Sequence, residues 1–131
     1  MVDIAYSVTT PKDLDTAIAD LEKALADRKF AVLWHLDMNE KLREKGLDLE
    51  PKVRVLEVCS APRAKQALET NLDIAYLLPC KVVVSRQGGE TRIGLARPVK
   101  LLGTLGDTRL DPLAREVEEV LTEAVNEAAK V

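Results

Sequence analysis

The sequence predicts a single α+β domain, in which a mainly antiparallel sheet is backed by helices in a two-layer arrangement. Three observations carry this expectation. Short runs of β-formers alternate in polarity, most clearly Val53-Arg54-Val55-Leu56-Glu57-Val58-Cys59. Other segments repeat apolar residues at helical spacing, such as Leu14, Ile18, Leu21 and Leu25. Several strands are joined by short turns, which only antiparallel neighbours allow.

Val2 to Thr9 reads as the first strand, with Val2, Ile4, Tyr6 and Val8 alternating. Thr10-Pro11 then supplies a helix start, with Thr10 as N-cap and Pro11 at the first position. That helix ends near Arg28. Phe30 to Leu36 is a second strand, and Asn39 to Lys45 a short charged helix that Gly46 stops. After the third strand, Ser60 caps a helix that carries Pro62 in its first turn and ends at Asn71. Lys81 to Arg86 is the fourth strand, Gln87-Gly88-Gly89-Glu90 a hairpin turn, and Thr91 to Ala96 the fifth strand, closed by Pro98. Val99 to Thr108 reads as a loop whose Leu101, Leu102 and Leu105 must cover something apolar. Asp111 and Pro112 open a last helix with a stripe from Leu113 to Ala128. The expected order is β-α-β-β-α-β-β-α, over a single domain spanning residues 1–131.

The chain has 131 residues, 47% of them hydrophobic and 31% charged, an ordinary globular balance. Only 3% are aromatic, which leaves no platform for stacking bases. With a formal charge of −3, a general binder of phosphate backbones is not expected either, so no nucleic-acid partner is predicted. No secretory signal is read at the amino end, and no apolar run reaches the ~18 residues of a membrane span. The expectation is a cytoplasmic protein without a membrane partner, its two cysteines reduced. Three Asn and two Gln against many charged residues is a composition that thermophilic proteins favour.

One block reads VRVLEVCSAPRAKQAL and then IAYLLPCKVVVSRQGGETRIGLARP. It resembles the uncharacterised family known as domain of unknown function 302. There a strand ends in Cys before a Pro-containing turn and a helix, and an apolar-Pro-Cys step leads into a Val-rich strand. The matching positions are Cys59, Pro62, Ala64, Leu68, Leu78, Pro79, Cys80 and Val82 to Val84; Ser60 stands where Asn is more usual. The resemblance covers nearly the whole chain. It implies a TATA-box-binding-protein-like fold, a curved antiparallel sheet backed by helices, and a homodimer. It implies no activity.

Cys59 and Cys80 are the leading candidates for chemistry. If their strands are neighbours, the two thiols face one another and could bind a soft metal, cycle through a disulfide or hold a covalent intermediate. Against this, free Cys often serves as a small buried apolar group, and a 21-residue spacing matches no zinc motif. His35, the single histidine, would complete a Cys/Cys/His site or act as a base if its strand lies beside them. Alternation sends Trp34 and His35 to opposite faces, one buried and one more exposed. Lys81 and Arg97 form a candidate anion site across the hairpin, against the plainer reading of a solvated sheet edge. Glu118-Glu119 reads as a surface pair. Phosphate loops, dinucleotide fingerprints, nucleophile elbows and H-E-x-x-H are absent from the sequence.

Three functions stay open: a homodimeric protein binding a small ligand or soft metal near the cysteines, a thiol enzyme or redox protein, and an interaction module without a small-molecule site. No cofactor is named by any motif.

Overall fold

The computed structural model describes residues 3–131, so Val2 of the expected first strand lies outside the described residues. The elements are β1 (Ala5–Thr10), α1 (Leu14–Asp27), β2 (Ala31–Asp37), α2 (Met38–Arg43), β3 (Lys52–Cys59), α3 (Ala61–Thr70), β4 (Cys80–Gln87), β5 (Glu90–Ala96), α4 (Pro98–Gly103) and α5 (Asp111–Ala129). Two 3-10 turns, Leu72–Tyr76 and Thr108–Leu110, precede β4 and α5.

All neighbouring strands are antiparallel, in the order β1-β5-β4-β3-β2. The two glycines expected at the β4–β5 hairpin both take positive φ, 60° at Gly88 and 80° at Gly89, as a tight turn of this kind requires. One face of the sheet presents Leu56, Val58, Val82, Val84, Ile93 and Leu95, all buried. The stripes of α1 and α5 close over it, with Leu21, Leu25, Leu121 and Val125 completely enclosed. Burying each such side chain contributes roughly 1.5–3 kcal/mol, so this sandwich between sheet and helices supplies most of the fold's stability.

Several local expectations change. The N-cap of α1 is Asp13, whose carboxylate accepts from the Thr16 N–H at 2.8 Å; it displaces the Thr10-Pro11 start because its oxygen satisfies an amide of the first turn that has no helical partner. The segment read as a loop after β5 instead holds α4. Pro98 does not merely close β5. It occupies the first turn of α4, where a missing N–H costs nothing. The Val99 N–H there donates to Glu118 at 3.1 Å, so Glu118 caps α4 from α5 and is half-buried, unlike a free surface acid. Asn39 fastens the β2–β3 connection: its amide donates to Leu49 O at 3.0 Å and Pro51 O at 2.9 Å, and its oxygen accepts from Val53 N at 2.8 Å.

Trp34 and His35 do face opposite sides, but both are exposed. β2 is one of the two edge strands. The register slips between Val32 and Trp34, leaving Leu33 as an unpaired bulge and setting Trp34 opposite Glu57 on the face without the α1–α5 layer. No helix among the described residues is long and apolar enough to cross a membrane.

Candidate ligand-binding cavity

At the end of the sheet where β3 finishes and β4 begins, the helical layer does not close completely. β3 runs directly into α3, because Pro62 is tolerated in a first helical turn. Asn71 then ends α3, its side chain accepting from the Asp73 N–H at 2.9 Å to start the 3-10 turn. The Leu77-Leu78-Pro79 step returns the chain to the sheet at Cys80. Beneath this loop lies a cavity of about 210 Å³. Its buried floor is Val58, Ile74, Leu102, Leu113 and Val117. α4 contributes Leu101 and Leu102, so the apolar residues after β5 do cover something, namely this space.

The polar lining is sparse: Ser60, Arg63, Lys81 and the two cysteines. Ser60 holds the N-cap position of α3 but makes no capping bond; its Oγ instead accepts from Arg63 Nη1 at 3.4 Å. The Arg63 guanidinium lies 5.5 Å from the centre of the Phe30 ring and reaches Glu116 on α5 at 3.2 Å. Cation–ring contact and two polar partners hold it half-buried at the cavity wall. Nothing in the sequence marks Arg63 out, because its partners come from residues 30 and 116.

The β3–β4 register sets Cys80 opposite Val58, not Cys59. Pleat alternation therefore turns Cys80 to the helix-covered side with Val82 and Val84, and Cys59 to the opposite pleat with Glu57. The strands are neighbours, but the thiols are not a facing pair. Both still border the cavity, since β3 ends at Cys59. Both are free and half-buried. Burial pushes the Cys80 thiol up to about 11, with nearby Cys59 adding to the rise and Lys81 opposing it. Burial raises Cys59 as well.

His35 stands opposite Leu56, two strands from Cys80 and two residues along, a separation of more than about 10 Å. The fold does not bring it to the cysteines. Among the described residues, no three His, Cys, Asp or Glu side chains gather where they could hold a metal ion. Lys81 and Arg97 turn to different partners: Lys81 pairs with Glu57 at 2.8 Å and Arg97 with Glu118 at 3.0 Å. Each cation is neutralised by its own carboxylate.

The class of protein is thus a two-layer α+β domain with a small apolar cavity walled by a strand end, a helix start and a Pro-Cys step. The family model for Domain of unknown function DUF302 matches residues 6–128, and the chain belongs to that family. The crystal structure of an uncharacterised conserved DUF302 protein from Bacillus stearothermophilus is similar, with 35% identity and a TM-score of 0.93 over 98% of this chain and 100% of that one. No curated protein matches the chain.

Proposed function

We propose that this protein binds a small, largely apolar ligand in the cavity beneath α3. The observation that carries this reading is the shape of the chemistry there: an apolar floor, a half-buried Arg63 and a neutral thiol around about 210 Å³. That volume exceeds the ~150 Å³ known to accept a benzene ring and falls short of the ~300 Å³ at which drug-sized sites begin. Five of the positions that carry the family resemblance, Cys59, Ala64, Leu78, Pro79 and Cys80, border it. A thiol enzyme would need a depressed thiol and a neighbouring base. Here both thiols are raised and His35 is distant, so binding is the better reading. The test is calorimetric titration with benzyl alcohol, a neutral ring of suitable size. Saturable one-to-one binding is expected, weakened at least about tenfold in Ala64→Phe, which fills the cavity from α3. Failure of the parent chain to bind, or equal binding by the filled variant, overturns the reading.

The protein also acts as a homodimer, its second copy packed on the open sheet face. That face carries Trp34, Leu36, Val53, Val55 and Val83 around the Glu57–Lys81 pair, and Trp34 is 53% exposed. The patch is self-complementary, because a two-fold axis through it sets each copy's Lys81 near the other's Glu57. Five strands at ~4.8 Å spacing and ~20 Å length give about 500 Å² per copy, close to the ~1,000 Å² total that a specific interface needs. Sedimentation showing only monomer at micromolar concentration refutes this.

A further inference from the structure

The cavity wall carries charge of one sign only. Arg63 and Lys81 line it, whereas no Asp or Glu does; their carboxylate partners, Glu116 and Glu57, stand outside the lining. The floor is fully apolar, so any charged part of a ligand must sit at the Arg63 side. We propose that the ligand is a small monoanion, a compact ring or short chain bearing one carboxylate, with the carboxylate held by the Arg63 guanidinium and the apolar body on Val58, Ile74, Leu113 and Val117. The proposal rests on the cavity being a ligand site, as argued above.

Three features support the anion and its single charge. Arg63 spends one contact on a weakly placed Ser60 Oγ at 3.4 Å and one on solvent-exposed Glu116 at 3.2 Å, which leaves most of its five donors free. Its planar fork matches a carboxylate in a bidentate manner, and exposed pairs such as the one with Glu116 are easily exchanged. Ser60 is 5% exposed, and among the described residues its hydroxyl accepts from Arg63 but donates to no protein group, so it can donate to the same anion. Meanwhile the half-buried Glu57 keeps hold of Lys81 at 2.8 Å, so among the lining residues Arg63 is the cation left to meet a ligand's charge, which matches one carboxylate and not a dianion such as a phosphate monoester.

The test compares benzoate with benzyl alcohol, rings of nearly equal size that differ in charge, on the parent chain and on Arg63→Gln. Benzoate is expected to bind the parent about tenfold more tightly than benzyl alcohol, as a charge-assisted pair allows. In Arg63→Gln the preference should vanish, with a cooperative thermal melt as the control that the variant folds. Equal affinity of the parent for both probes, or a benzoate preference that survives in Arg63→Gln, overturns the anion assignment and leaves the cavity reading intact. Binding of neither probe overturns both. Phenyl phosphate binding more tightly than benzoate overturns the single charge.

Discussion

Burial holds the Cys80 thiol protonated across the physiological range, with its pKa pushed up to about 11. Cys80 should therefore react with a disulfide reagent at pH 8 at least about tenfold more slowly than an unfolded thiol, and speed up only as the pH climbs toward 11. The sign for stability follows from the same shift. The folded pKa lies above the ordinary 9.0, so the folded state is favoured fully below pH 9 and loses that advantage as pH rises through about 11. Thiol titration against pH, on Cys59→Ser so that one thiol reports, checks this. The sequence placed both cysteines at strand ends correctly, but the register decides which way each points. A shift of one residue, Cys80 against Val58, separates the thiols onto opposite pleats. That shift is fixed by packing of Val82 and Val84 under the helices, which no local pattern reveals. Arg63 was silent in the sequence for a related reason: its significance comes from Phe30 and Glu116, 33 and 53 residues away in the chain.

The elements around the cavity are held by a small polar clamp. Asp107 accepts from Asn71 at the end of α3 at 3.1 Å and from Arg109 at 2.6 Å, tying the loop over the cavity to the turn before α5. The Arg109 side chain is the largest cause that holds the Asp107 carboxyl well below the ordinary range. Its stabilising effect is present above the unfolded value near pH ~4 and is lost as pH falls through the lower folded value. Asp107→Asn should lower the melting temperature at pH 7, and the gap from the parent should narrow as the pH drops toward ~2. Thermal melts at the two pH values measure it. The strands, the glycine hairpin, α1, α3 and α5 were legible in their periodicity and turn residues. α4 was not. Gly103 and Gly106 look like loop signals, and the bond that secures its start comes from Glu118, a distant residue. Likewise the caps of α1 differ because Asp13 competes with Thr10, and local spacing allows either.

At the scale of the molecule, one sheet face is sealed by α1 and α5 and the other keeps Trp34 exposed beside four half-buried aliphatic neighbours. Trp34→Glu should convert the proposed dimer to monomer at micromolar concentration while leaving the melting curve of the domain cooperative, since Trp34 is not among the residues packed on the sealed core. Sedimentation velocity reads this directly. In the sequence a homodimer rested on the family resemblance; the β2 bulge, which sets Trp34 opposite Glu57, is what no local pattern reveals. The same partition leaves, at the sheet's end, a cavity where an apolar floor meets the half-buried Arg63.

The most direct test of that assignment is an amide spectrum of isotopically labelled protein during titration with benzyl alcohol. A ligand in the cavity predicts saturable shifts at Ser60, Ala64, Ile74, Cys80, Leu102 and Val117, with β1 and the far end of α1 unmoved. Shifts scattered over the open sheet face, or none that saturate, would contradict it.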